Sequence, residues 1–300
     1  DLIYGLPGDN YAGLCESLEV ALGFFPNQIE LFPLALLPGT ELEQRRCTYT
    51  LKALPEPPYT VISTSSMDTE GFARAAVLTA ALNLFYNTGR AVSYFEVLCS
   101  ACNCSGVEFL EHLGIWLQQE GAVCVESPLP DWEVKQAYRL QLEFIRTYFS
   151  QLGLENLVPA ALDIMHYHYL YAETILGPPL FPVSSQDNND TQDGSGSWAL
   201  AEGVRMGKFA YPVEKYHNAG VDDLVEFVYL NAQEDCGALF HRGPHGVCCK
   251  EVPVDVVELF RSCVGASQLP AQFGCLDPAQ TGKWLRDAVA KGSLFQRPSS

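Results

Sequence analysis

The first forty residues hold a strand, a helix and a second strand in sequence, and that economy limits the folds open to the chain. Asp1 to Gly5 is a short apolar strand, and Leu6-Pro7-Gly8-Asp9 is a turn. Tyr11, Leu14, Cys15, Leu18, Ala21 and Leu22 recur at helical spacing, with Glu16 and Glu19 on the other face. Pro26 and Asn27 end that helix. Ile29, Leu31, Pro33 and the run Leu34 to Leu37 predict a second strand, closed by Pro38-Gly39-Thr40. A strand, helix and strand this close together predict a right-handed parallel crossover. Parallel strands need cover on both faces. Too few strands follow to supply it, so the sequence places the remaining strands upstream of Asp1. The absence of an initiator Met or a signal-peptide pattern fits that expectation of a chain truncated at its N-terminus.

Three hundred residues are enough for one large or two ordinary domains. Hydrophobic residues at 48% and charged residues at 18% give a globular balance. No window forms an apolar run of about 18 residues, so no membrane span is expected. The 18 basic and 36 acidic residues leave a net charge of −18. Such a surface repels phosphate backbones and anionic lipid, so neither nucleic acid nor a membrane is an expected partner. Its plainest use is solubility. Eleven cysteines, an odd number in a long chain, disfavour a disulfide framework and favour a reducing, cytoplasmic setting.

Glu41 to Cys47 is a short predicted helix, Leu54-Pro55-Glu56-Pro57-Pro58 a stiff connector, and Val61 to Thr64 a further strand. Phe72, Ala75, Ala76, Leu78, Leu82 and Phe85 then give a helical period. More helices are expected at about 91–100, 106–119, 132–152 and 156–175. Residues 184–197 are rich in Ser, Asp, Asn and Gly and read as a flexible linker, the best domain boundary in the chain. Beyond it, Val204 to Pro212 and Leu224 to Leu230 read as strands. Gly237 to His241 and Gly246 to Val252 read as a hairpin around Arg242-Gly243-Pro244, and helices are expected at 254–263 and 278–290. The predicted domains are therefore 1–66, 67–183 (α-helical), the linker 184–197, and a small α+β module at 198–300.

Asp1-Leu2-Ile3-Tyr4-Gly5-Leu6-Pro7-Gly8, followed at the expected distance by Leu34-Ala35-Leu36-Leu37-Pro38-Gly39-Thr40-Glu41-Leu42, resembles the radical S-adenosylmethionine (SAM) superfamily. The similarity lies nearest the branch of oxygen-independent coproporphyrinogen oxidases and cobalamin-binding-domain radical SAM proteins. The resemblance covers about residues 1–42 and implies the C-terminal end of a partial TIM-type barrel at 1–66, an α/β element followed by an α-rich region and the α+β module. Gly5 and Gly8 allow a sharp turn at the strand's C-terminal edge, the edge where α/β barrels bind ligands. The resemblance implies that Ile3, Gly5, Leu6, Pro7 and Gly8, with Leu37, Pro38 and Gly39, form a cofactor-binding wall against the adenine nucleoside of SAM. Asp9 stands where relatives often carry Glu or Gln.

The family's chemistry uses a [4Fe-4S] cluster held by three cysteines spaced CxxxCxxC, and an electron donor such as flavodoxin or ferredoxin, to cleave SAM to a 5′-deoxyadenosyl radical. No CxxxCxxC occurs in this sequence. The cluster ligands are therefore expected in the absent N-terminal part, and the fragment alone is expected to be inactive. Tyr59 to Thr64, Leu84 to Arg90 and His166 to Glu173 resemble the uncharacterised C-terminal domain of cobalamin-binding-domain radical SAM proteins, which implies cobalamin as a further cofactor and a small-molecule substrate. Two alternatives stay open. One is a coproporphyrinogen oxidase-like enzyme, and the other a non-catalytic accessory protein with a degenerate half-barrel. No general acid or base is singled out.

Three other constellations have chemistry-bearing residues. Cys99, Cys102 and Cys104 suit an auxiliary cluster or zinc, against the plainer reading of cysteines near a helix end. His241, His245, Cys248 and Cys249 straddle the hairpin, with Cys236 just before it. Adjacent cysteines on a strand point to opposite faces, so only one of Cys248 and Cys249 joins easily, and no residue is assigned to a metal. His166, His168, Tyr169 and Glu173 lie on one predicted helix. They read either as a polar patch facing substrate or cobalamin or as part of a helix whose rings pack in the core.

Overall fold

The computed structural model describes residues 1–124, 130–180, 197–218 and 220–297. The chain divides into two compact units, Asp1–Val158 and Pro159–Ser300. Helix and sheet are mixed in both, and the strands close no barrel among the described residues.

The first unit starts with strand β1 (Leu2–Tyr4), helix α1 (Tyr11–Leu22) and strand β2 (Leu31–Pro33). β1 and β2 pair in parallel, with Leu2 opposite Leu31, Ile3 opposite Phe32 and Tyr4 opposite Pro33. Asn10 caps α1 by accepting from Gly13 N at 3.0 Å. Leu14, Leu18 and Leu22 then fall on one buried stripe. The expected strand at Leu34–Leu37 is shorter in the structure. Pro33 ends β2, and the chain changes partner: Leu34 N donates to Tyr4 O at 2.9 Å, and Leu36 N to Tyr59 O at 2.9 Å. Helix α2 (Glu41–Gln44) comes next, then strands β3 (Lys52–Ala53) and β4 (Val61–Ser63), which pair antiparallel.

Helix α3 (Thr69–Leu82) is capped by Asp68 and passes directly into a π-helical turn, Asn83–Thr88. Helices α4 (Phe95–Ala101), α5 (Gly106–Gln119) and α6 (Val134–Gln151) complete the unit. The expected helix at 91–100 is broken at Tyr94, whose φ of −136° and ψ of −2° separate a 3-10 turn at Ala91–Ser93 from α4. Phe85 meets Phe95, Phe109 and Phe144 edge-on at centroid distances of 6.0, 5.0 and 6.4 Å. The wide π turn frees backbone carbonyls that a buried neighbour satisfies. Gln141 on α6, fully buried, donates Nε2 to Phe85 O at 2.8 Å. Asn87 accepts from Ile29 N at 3.0 Å and donates to Ile29 O at 2.8 Å, so the π turn also holds the approach to β2.

The second unit takes in nearly all of helix α7 (Val158–Leu176). The expected linker at 184–197 lies outside the described residues except for Ser197, which opens strand β5 (Ser197–Leu200). The division between units lies ahead of it because α7 packs on rings from the C-terminal part of the chain. Tyr167 lies near Tyr216 and Phe240, at 6.3 and 5.8 Å. Strand β6 (Val204–Phe209), helix α8 (Val213–Asn218), helix α9 (Leu224–Leu230) and strands β7 (Cys236–Gly243) and β8 (Gly246–Val252) come after β5. Helices α10 (Val254–Cys263) and α11 (Pro278–Ala290) and strand β9 (Leu294–Arg297) complete the chain's elements. β6, β7 and β8 form an antiparallel sheet, and β5 pairs antiparallel with β9. Val256, Val257, Phe260 and Cys263 of α10 pack into a core with Val252, Leu285 and Leu294.

Leu224–Leu230 is a helix, not the predicted strand. Asp223 accepts from Glu226 N at 2.9 Å, an N-cap that commits the segment to helix. Leu224 and Phe227 are buried at i, i+3, while Val225, Tyr229 and Leu230 are exposed. The branched and aromatic residues that suggest a strand are thus mostly on the solvent side.

Asp163 is the charged group most committed to the second unit. It is 6% exposed. One carboxylate oxygen accepts from Ala210 N at 2.8 Å and Tyr211 N at 2.9 Å, with the Tyr216 hydroxyl at 3.3 Å. Burial raises its pKa to about 7, and these hydrogen bonds only partly offset the rise. The unfolded value is about 3.9. Between those values the folded state keeps a proton that the unfolded state has lost, so this group's contribution to stability falls as pH rises from about 4 to 7. Asp163→Asn removes that dependence. Chemical denaturation across pH 4 to 7 is expected to show the variant gaining about 2–4 kcal/mol relative to wild type as pH rises. A constant difference across that range would contradict it.

Candidate functional site

The C-terminal end of β1 is a turn built on glycine. Gly5 and Gly8 take φ 86° and 88°, a region costly for other residues. Asp9 N donates to Leu6 O at 2.9 Å and closes the turn. After β2, Gly39 takes φ 82°. Thr40 donates its hydroxyl to Leu37 O at 2.7 Å and caps α2 by accepting from Glu43 N at 3.3 Å. The two segments of the expected nucleoside wall thus end in tight glycine turns.

The wall's residues divide between the two sides of the chain. Gly5 is buried: a Cβ there would lie within 2.8 Å of Phe72 Cε1, so the ring packs on bare backbone. Ile3 is 50% exposed, Leu6 44% and Leu37 51%, and Gly8, Pro38 and Gly39 are exposed, with Pro7 half-buried. Ile3 has Phe32, 49% exposed, directly across the parallel pair. On the exposed side Ile3 and Phe32 form an apolar pair, and Leu6 and Leu37 are exposed on the turns that follow β1 and β2. That side can accept a flat ring but offers no acid or base.

A polar cavity of about 570 Å³ lies beside these turns, lined by Asn10, Tyr11, Thr64, Ser66, Asp68 and Arg74 among others. Ser66 donates its hydroxyl to Asp9 O at 2.6 Å, linking the loop before α3 to the turn before α1. Arg74 lies over the Tyr11 ring at 4.0 Å and pairs with Glu111 at 2.9 Å, and the Tyr11 hydroxyl donates to the same Glu111 oxygen at 2.8 Å. Burial, then the bond to Glu111, pushes the Tyr11 hydroxyl well above its ordinary range. A second cavity of about 370 Å³ shares Tyr11, Glu70 and Arg74 and reaches His112. Arg74, Tyr11 and Glu111 come from three separate helices, and no spacing in the sequence links them.

The hairpin set is not brought together. His241 stands opposite Cys248, while Cys249 stands opposite Phe240 on the other face, as the pleat of a strand requires. His245 and Cys248 are exposed, and Cys236 lies at the far end of β7. Among the described residues no group of three or more His, Cys, Asp or Glu side chains is placed to hold a metal ion. Of the α7 set, His166 packs against Phe209 at 5.2 Å, and close to Gly207, where a Cβ would meet Leu170 Cδ1 at 2.6 Å. His168 lies edge-on to Tyr167 at 5.2 Å. Burial lowers both imidazoles to about 4, so both are neutral at physiological pH. Tyr167 shares a 2.8 Å hydrogen bond with His217 Nδ1. His166 and His168 thus lie among aromatic rings. Cys99, Cys102 and Cys104 do come together, at the end of α4.

The glycine turns separate two kinds of cost. Gly8→Ala meets open space and only the unfavourable backbone, about 1–2 kcal/mol. Gly5→Ala adds a clash with Phe72 of about 1–3 kcal/mol. Denaturation of the two variants is expected to place Gly5→Ala clearly below Gly8→Ala, and equal losses would contradict the packing of Phe72 on Gly5.

No curated protein matches the chain. A family model described as a protein of unknown function, DUF4080, matches residues 47–202, from α2's C-terminal flank through β5. That span holds Tyr59–Thr64, Leu84–Arg90 and His166–Glu173, and it includes the π turn and all of α7. The matched residues make up more than half of the chain, which therefore belongs to the DUF4080 family.

Proposed function

We propose that residues 1–42 form the nucleoside-side wall of a radical SAM barrel, and that the protein of which this chain is part binds SAM and a [4Fe-4S] cluster to make a 5′-deoxyadenosyl radical. The observation that carries this reading is the parallel β1–β2 pair, with glycine turns at both wall segments and an outward apolar face of Ile3 and Phe32. A parallel pair with one face uncovered suits the end of a larger parallel sheet. Ile3, Leu6 and Leu37 supply flat apolar contact for an adenine. The turn backbone at Gly5, Gly8 and Gly39, free of Cβ atoms, allows close approach and can read the base's edge by hydrogen bonds. These residues bind and orient, and none of them moves a proton.

The residues present do not fit the cluster itself. The chain has no CxxxCxxC, and the described side chains include no group of three placed for a metal. Cobalamin, an electron donor such as flavodoxin or ferredoxin, a small-molecule substrate and a cytoplasmic setting belong to the same proposal and rest on the resemblance of residues 59–64, 84–90 and 166–173. Among the described residues no helix is long and apolar enough to cross a membrane.

The test uses the natural protein, purified without oxygen, its iron content restored, and given SAM with dithionite. 5′-Deoxyadenosine is expected, and Leu37→Asp, which places a charge at an exposed position of the proposed wall, is expected to lower its formation at least tenfold with the iron content unchanged. Absence of 5′-deoxyadenosine in an iron-loaded protein would overturn the reading.

A further inference from the structure

Three thiols meet where α4 gives way to α5, and neither the nucleoside wall nor the polar cavity uses them. Cys99 is buried on the last turn of α4, Cys102 is its C-cap, and Cys104 sits just before Ser105, which caps α5. The backbone folds tightly: Cys102 N and Cys104 N both donate to Cys99 O, at 3.1 and 3.2 Å, and Asn103 between them takes φ 51°. The Cys104 thiol donates to the same carbonyl oxygen at 3.8 Å. All three residues are free thiols.

The three are not equivalent. Hydrogen bonds from Cys102 and then Cys99 pull the Cys104 thiol well below its ordinary range, with the Tyr148 hydroxyl and His112 nearby acting the same way. The ring of His112 lies 5.0 Å from that of Tyr148. Cys99 is pushed up by the bond it makes to Cys104 and by burial, and the Glu19 carboxylate adds to that. Glu19 already accepts from Gly106 N at 3.1 Å and Val107 N at 2.8 Å, so the start of α5 is occupied by a carboxylate and does not act on Cys104 as an open helix end. The site therefore sets a part-exposed thiol that ionises readily, Cys104, beside a buried one that stays protonated, Cys99. That is the pairing a two-step oxidation needs, because the thiolate is the nucleophile.

Access runs through a cavity of about 210 Å³ lined by Cys99 and Cys104 together with Glu19, Phe25, Phe95 and Glu96. Two carboxylates and the rings of Phe25, Tyr86 and Phe95 on that wall disfavour an anionic oxidant such as a glutathione-type disulfide. They leave room for a small neutral one.

We propose that Cys99 and Cys104 form a redox-active dithiol that reacts with hydrogen peroxide, Cys104 attacking and Cys99 resolving. The Cys104 thiolate attacks one peroxide oxygen and breaks the O–O bond. Cys104 becomes a sulfenic acid, and the released hydroxide takes up the proton that Cys104 lost on ionising, giving water. The Cys99 sulfur then attacks the Cys104 sulfur. An S–S bond forms, the S–O bond breaks, and the Cys99 proton leaves with the hydroxyl as a second water. Two thiols are oxidised to one disulfide, and one peroxide is reduced to two waters. Cys102 donates to the thiolate and is not consumed. The site stands independently of the SAM reading.

The experiment treats the reduced full chain with one equivalent of hydrogen peroxide, blocks the remaining thiols and maps the peptides by mass spectrometry. A Cys99–Cys104 disulfide is expected at least tenfold faster than any oxidation of exposed Cys47, Cys248 or Cys275. Cys102→Ser, which loses a thiol but keeps a hydrogen-bond donor, still gives a Cys99–Cys104 disulfide, formed more slowly, and Cys99→Ser leaves a dimedone-reactive sulfenic acid on Cys104. Oxidation that starts at the exposed cysteines, a Cys102–Cys104 disulfide, or no dimedone adduct on Cys104 in Cys99→Ser would each overturn the proposal. The wild-type peptide map decides the first two without relying on any variant to fold.

Discussion

A parallel strand pair has two faces to bury, and the first unit covers only one of them. Tyr4 and Leu31 face inward, 3% exposed each. Phe72 of α3 lies 5.8 Å from the Tyr4 ring and packs on the bare backbone of Gly5. On the other side Ile3 and Phe32 remain half exposed across the same register. Apolar cover on one side positions the glycine turns and leaves the other side of the pair half exposed. The proposed nucleoside wall depends on this asymmetry.

The rest of the unit holds the pair in place. The π turn after α3 widens the helix at the point where Phe85 enters the ring cluster, and Gln141 satisfies the carbonyl this frees. Asn87, on the same turn, makes two hydrogen bonds to the backbone of Ile29 just before β2. An irregular helical turn thus ties the aromatic core to the parallel pair. Leu84 to Arg90, one of the stretches behind the family resemblance, contains this turn.

Much of the fold was legible because its signals are local. The expected helices at 106–119, 254–263 and 278–290 match α5, α10 and α11, whose starts are written in Ser105 with Glu108, in Pro253, and in Asp277 with Pro278. The parallel pairing of β1 with β2 was legible from the short strand–helix–strand spacing. What was not legible depends on contacts distant in sequence or on competing signals. Leu224–Leu230 carries strand-like residues, yet the Asp223 cap and the Leu224–Phe227 spacing make it a helix. Arg74, Tyr11 and Glu111 meet only because three helices pack. Cys99, Cys102 and Cys104 were visible as a cluster, but their inequality was not, since it comes from which thiol donates and from Glu19 and Tyr148 nearby. The hairpin set failed for the reason the pleat supplies: Cys248 and Cys249 face opposite ways.

The central claim concerns where the nucleoside lies, and amide hydrogen exchange of the natural, iron-loaded protein with and without SAM measures that directly. The account predicts slowed exchange on SAM binding at the amides of residues 3–8 (Pro7 aside) and 37–40 (Pro38 aside), the turns that carry Gly5, Gly8 and Gly39. SAM binding that protects other segments and leaves both turns unchanged would contradict it.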